Sequence, residues 1–165
     1  MKPTPLILTE NQIGGKNPAA EAYCVVCKHF KGLKMEDLAE TVRRLPQHWR
    51  PLYTTFWLDG QVNNGGHHQF FWNSDGALNK ETLEDLRLIS AQPFILLFEE
   101  AIDEYERHDY DSDKLDSGNT WEAFTEAYKE KRMRILDEAF WSARKTIPMY
   151  LADFIRSHRG MFIDS

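Results

Sequence analysis

The run Asn63-Asn64-Gly65-Gly66-His67-His68-Gln69 gathers more groups able to do chemistry than any other short stretch of the chain. Aromatic residues hem it in (Trp57, Phe70, Phe71, Trp72), and Asp59 and Asp75 flank it. Imidazoles near carboxylates can move protons or hold a metal. Adjacent residues on a helix point about 100° apart, however, so His67 and His68 cannot readily share one ion. No Ser or Cys nucleophile lies beside them in sequence. The competing reading is a structural corner. Asn and Gly tolerate the left-handed backbone that ends helices, and buried Asn and Gln side chains satisfy the backbone groups that a broken helix leaves over. The corner is the preferred reading, built from Asn63, Asn64, Gly65, Gly66, Gln69, Phe70, Phe71 and Asn73. No catalytic residue, metal ligand or cofactor is assigned.

Cys24 and Cys27 form a C-x-x-C with Val25 and Val26 between them. A zinc site needs two further ligands at suitable spacing. A redox motif usually follows a strand and has Gly or Pro between its cysteines. Within the helical pattern AEAYCVVCKHF, the expectation is a pair of buried, inert thiols.

A third candidate is electrostatic. Glu99 to Asp116 holds nine acids, Glu99, Glu100, Asp103, Glu104, Glu106, Asp109, Asp111, Asp113 and Asp116, against Arg107 and Lys114. Its net charge of −7 exceeds the −6 of the whole chain, while Lys129 to Arg134 collects four bases around one Glu. Glu99, Asp103 and Glu106 share one helix face, with Glu100 and Glu104 as a second pair beside them. Each i, i+4 step spaces carboxylates about 6 Å along the axis, at a cost of a few tenths of a kcal/mol per like-charged pair. Such a row can meet the Lys and Arg track that a DNA-binding protein aims at phosphates. The plainer alternative is a solvated helix face. A calcium loop at Asp109-Tyr110-Asp111-Ser112-Asp113 fails, because its sixth position is Lys114 and its twelfth is Thr120.

The elements that must position these groups read as helices. Asn17-Pro18 starts one carrying Ala22, Val26 and Phe30, and Gly32 stops it. Met35, Leu38, Ala39, Val42 and Leu45 repeat the spacing up to Pro46. Pro51 opens the helix of Leu52, Tyr53, Phe56 and Trp57, which ends at the Asn-Gly-Gly corner, and Ser74-Asp75-Gly76 makes the next turn. Asn79 caps a helix with Leu83, Leu86 and Ile89, and Pro93 opens one with Phe94, Leu97, Phe98, Ala101, Ile102 and Tyr105. Asn119 and Glu122 resemble a capping box ahead of Trp121, Phe124, Tyr128, Ile135, Leu136 and Phe140. Pro148 starts a last helix through Leu151, Phe154 and Ile155, and Gly160 closes it.

No stretch alternates as a strand would. With 165 residues, 42% hydrophobic and 13% aromatic, the chain is expected to be one compact all-α domain over 1–165, with 1–16 as an extended N-terminal arm. No apolar run approaches the ~20 residues of a membrane span, and no signal peptide is visible. A cytoplasmic protein is expected.

The stretch DGQVNNGGHHQFFWNSDG resembles the signature of a bacterial family of DNA-mimic proteins, built around an E/Q-V-N-N-G-G-x-x-Q-F-F-x-N core. The similarity is dense from Trp57 to Gly76 and looser through Thr82 to Ile89 and Leu136 to Phe140. The resemblance implies a small acidic helical homodimer, not an enzyme, that occupies the DNA-binding surface of a helix-turn-helix transcriptional regulator. It would not bind nucleic acid itself. Mimicry would have to lie on surface carboxylates such as those from Glu99 to Asp116, since the motif holds only Asp59 and Asp75 as acids. Two alternatives stay open: an immunity or antitoxin-type inhibitor of a basic nuclease, and an enzyme using His67 or His68.

Overall fold

Prolines stand at the first or second position of four helices, where a missing amide hydrogen costs nothing because no carbonyl waits for it. The computed structural model describes residues 5–31, 37–107 and 131–163. Eight α-helices lie among them: α1 (Glu10–Gly14), α2 (Pro18–His29), α3 (Leu38–Arg43), α4 (Pro51–Ser74), α5 (Asn79–Leu88), α6 (Gln92–Arg107), α7 (Lys131–Trp141) and α8 (Ile147–Ser157). The prolines are Pro18 in α2, Pro51 in α4, Pro93 in α6 and Pro148 in α8. The fold is a single all-α domain, as the helical periodicity predicts, and no strand occurs among the described residues. No helix among them is long and apolar enough to cross a membrane.

Helix α4 is the hub, in contact with α2, α5, α7 and α8. Aromatic rings fill the space around it. Phe56 stacks on Tyr23 of α2 with centroids 4.6 Å apart, and Phe71 stacks on Tyr105 of α6 at 4.4 Å. Phe94 of α6 meets Phe140 of α7 edge-on at 4.8 Å. Offset and edge-on arrangements of this kind add to the stabilisation from burial alone. A polar lock joins α4 to α5. Arg50, just before α4, grips the fully buried Asp85 with two nitrogens, and the Thr54 hydroxyl donates to the same carboxylate at 2.7 Å.

Several expectations need correction. The N-terminal segment is not simply an extended arm. Thr9 and Gln12 form a reciprocal capping box that starts α1. Leu8 and Ile13 are buried, and the Leu8 amide donates to the Phe162 carbonyl at 2.7 Å, tying the two ends of the described chain together. Asn79 is not a cap: Leu78 holds that position and Asn79 is the first helical residue. Helix α2 ends at His29, ahead of Gly32, which lies outside the described residues along with Met35. Helix α8 ends at Ser157, and Gly160 falls in the short 3-10 turn that follows.

The cysteine expectation also fails. Val25 and Val26 fill the buried side of α2, which leaves both Cys24 and Cys27 exposed. On α7, Leu136 and Phe140 are buried as expected, but Ile135 is exposed. The Asn119–Glu122 pair, Trp121, Phe124 and Tyr128 lie outside the described residues.

Candidate functional site

The Asn-Gly-Gly segment interrupts α4 without ending it. Gly65 and Gly66 leave helical geometry, with Gly66 at φ 74° and ψ 178°. A side chain at Gly66 would suffer twice, from the positive φ and from collision with the Asp137 carboxylate that lies against it. Breaking the helix strands backbone groups on both sides, and α7 meets them. Asp137 Oδ1 accepts the His67 amide at 2.8 Å, acting as an N-cap supplied by another helix. The Trp141 indole donates to the Val62 carbonyl at 3.2 Å. The two halves of α4 are thus stapled by side chains one helical turn apart on α7.

The amide side chains do something other than expected. Asn63, Asn64 and Asn73 are exposed, not buried. Asn64 donates to Gln69 at 2.9 Å, and Gln69 and Asn73 both donate to Gln61, at 3.0 and 2.6 Å. These bonds run from side chain to side chain across the break. Only Asn63 serves the backbone, donating to the Asp59 carbonyl at 2.7 Å. Phe70 and Phe71 are buried on the opposite side.

His67 is wholly buried, and its Nδ1 lies 2.7 Å from the same Asp137 oxygen. Its ring stands edge-on to Phe140 at 5.5 Å. His68 is 2% exposed, beside Trp72. Burial pushes the His68 pKa down to about 4, against the opposing pull of the Asp137 charge. Burial pushes the Asp59 carboxyl up to about 6, with an Asn63 hydrogen bond opposing it. No three His, Cys, Asp or Glu side chains among the described residues are grouped to hold a metal. The imidazoles and Asp137 are thus enclosed, while Asn63, Asn64 and Asn73 stay at the surface.

The acidic track divides in four. Glu99, Glu100, Asp103, Glu104 and Glu106 lie on α6, whereas Asp109, Asp111, Asp113 and Asp116 lie outside the described residues. On α6, Glu104 is not a surface acid. It is 5% exposed, following Phe94, Phe98 and Ala101 into the core, and it meets Arg107 at 3.1 Å and Arg132 at 3.2 Å. Glu99 pairs with Arg87 of α5, and Glu100 with Arg132 of α7 at 3.5 Å. Asp103 and Glu106 are exposed and make no ion pair with another described residue. Leu96, 63% exposed, lies on the same helix face as Glu100 and Asp103.

A family model described as DMP19-like protein matches residues 43–158, from the end of α3 to just past α8. The chain belongs to the DMP19-like protein family. No curated protein and no solved structure matches it. The DMP19-like match takes in the corner, α6 and the α7 segment that caps the corner, and leaves out α1 and α2. Asp137 escaped the sequence reading, though a signal was present. It falls among Met133, Leu136 and Phe140, all buried, so a carboxylate there occupies an apolar stripe and needs a buried partner.

Proposed function

We propose that this member of the DMP19-like family is a DNA mimic. Its carboxylates stand in for phosphates on the DNA-binding surface of a helix-turn-helix transcriptional regulator and exclude the operator. The observation that carries this reading is the solvent-facing strip of α6 in a chain of this family. Asp103 and Glu106 are exposed one turn apart, Glu99 and Glu100 flank them, and Leu96 adds apolar area at one end. A regulator's Lys and Arg would meet the first pair directly. They would reach the second by displacing Arg87 and Arg132, both more than half exposed. Exposed pairs of that kind are worth well under ~1 kcal/mol, so a partner's cations can replace them.

A strip this short does not match a duplex charge for charge, so shape and apolar contact must supply part of the affinity and the specificity. As a homodimer the chain would present the strip twice. Catalysis has little support, because the imidazoles of His67 and His68 are enclosed by the fold.

The test is recovery of partners from the native host's lysate, followed by elution with duplex DNA. A DNA-binding regulator released by its operator, and held less well as salt rises, supports mimicry. A basic nuclease in its place would replace this reading with an immunity role.

A further inference from the structure

The two thiols that the sequence pattern marks as inert face solvent, and their spacing makes them a pair. Cys24 and Cys27 are both free and exposed, and they stand at i and i+3 on α2. Residues at that spacing lie on one helix face with Cβ atoms about 5–6 Å apart. A disulfide wants about 3.5–4.5 Å between its Cβ atoms. Closure therefore requires the helix to yield by about 1–2 Å. The site favours that movement. Cys27 lies in the last turn of α2, two residues before its end, where fewer backbone bonds hold the chain. Val25 and Val26 anchor the opposite side to the core. The thiol face can thus adjust without repacking the interior.

We propose that Cys24 and Cys27 form a reversible redox site that closes to an intramolecular disulfide by exchange with a small-molecule disulfide such as oxidised glutathione. The Cys24 thiolate attacks one sulfur of glutathione disulfide. The glutathione S–S bond breaks, one glutathione leaves as thiolate and takes a proton from solvent, and a mixed disulfide remains on Cys24. The Cys27 thiolate then attacks Cys24 Sγ and expels the second glutathione. The protein loses two electrons and two protons, and the oxidant becomes two glutathione thiols.

The order of attack follows from the surroundings of Cys27. Partial burial pushes its thiol pKa up, against a hydrogen bond with the Tyr23 hydroxyl. That suits it to the second, intramolecular step, where proximity compensates for a smaller thiolate fraction. Strain and exposure make the resulting bond easily reduced. Closure also disturbs the Tyr23 hydroxyl contact, and Tyr23 stacks on Phe56 of α4. Oxidation at the surface is therefore felt at the α2–α4 seam.

The test is to equilibrate the full chain across a series of oxidised-to-reduced glutathione ratios, quench with acid, and read intact mass and non-reduced peptides. The expected result in the wild type is loss of both titratable thiols together, with the mass of two hydrogens lost and Cys24 linked to Cys27 within one chain. Excess reduced glutathione should reverse it. Cys27→Ser should stop at the mixed disulfide, with one glutathione held on Cys24. Wild type that carries glutathione on both cysteines, links two chains, or keeps both thiols across the series would overturn the proposal.

Discussion

One oxygen of Asp137 meets a single residue twice, accepting the backbone amide of His67 at 2.8 Å and lying 2.7 Å from its Nδ1. The contact spans 70 positions in sequence, lies beside Gly66, and is buried on both sides. It joins the break in α4 to α7, and α7 in turn packs on the acidic helix α6. The corner thus reaches, through α7, the helix whose exposed carboxylates carry the proposed mimicry.

Removing the Asp137 carboxylate leaves the His67 amide and ring without their partner in the interior. Asp137→Ala should destabilise the protein by about 3 kcal/mol, and Asp137→Asn by less, because it keeps one acceptor. Urea unfolding measures the loss. Amide exchange at His67 should quicken in Asp137→Ala well beyond the change at Leu52 in the first half of α4. Uniform protection in both halves would remove Asp137 from its capping role.

Two glycines of α4 should respond in opposite directions. Gly66→Ala meets a positive φ and the Asp137 carboxylate, and should cost at least about 2 kcal/mol. Gly60 has open space where a Cβ would go and lies inside the helix. Gly60→Ala should therefore stabilise by about 0.5–1 kcal/mol. Thermal midpoints of the two variants decide this, and a loss at both positions would mean that glycine at 60 serves a contact as well.

Much of the fold was legible in the sequence because prolines and apolar spacing are local signals. Pro18, Pro51, Pro93 and Pro148 marked helix starts, and the Asn-Gly-Gly run marked the break. Facing was harder to read. Cys24 and Cys27 point outward because Val25 and Val26 claim the buried side of α2. Glu104 points inward because it continues the stripe of Phe98 and Ala101. In each case the packing of the surrounding apolar residues sets the face, and the type of the residue itself does not reveal it. The partner of the corner was not legible, since Asp137 comes from a distant helix and only the fold brings it there.

Two titrating groups near the corner should give pH dependences of opposite sign. Burial lowers the His68 pKa from 6.5 to about 4. Between those values the unfolded chain binds a proton that the native state does not, so stability falls as pH drops from 6.5 to 4. Burial raises the Asp59 pKa from 3.8 to about 6. Its contribution is fully present below 3.8 and is lost as pH rises through 6. In the overlap the two largely offset each other. Asp59→Asn should stabilise the protein at pH 7 by about 1–2 kcal/mol and uncover the His68 slope, up to about 1.4 kcal/mol per pH unit. His68→Gln should remove that slope. Urea titrations at a series of pH values read all three, and a pH-independent Asp59→Asn variant would contradict the assignment.

Burial also separates two acids that the sequence groups together. Glu104→Gln should cost about 1–2 kcal/mol of stability by weakening its contacts with Arg107 and Arg132, and should leave partner affinity nearly unchanged. Asp103→Asn should do the reverse, sparing the fold and weakening binding. Unfolding curves and partner titrations on the same two variants separate the roles. Equal binding losses would mean that Glu104 acts at the interface after all.

A DNA mimic and an operator compete for one surface of the regulator. Once the regulator is in hand, its complex with labelled operator DNA can be titrated with the protein and followed by fluorescence anisotropy. Wild type should release the DNA fully, less well at higher salt, and much more protein should be required for Asp103→Asn/Glu106→Gln. Anisotropy that rises on addition of the protein, from a ternary complex with the DNA still bound, would contradict that competition.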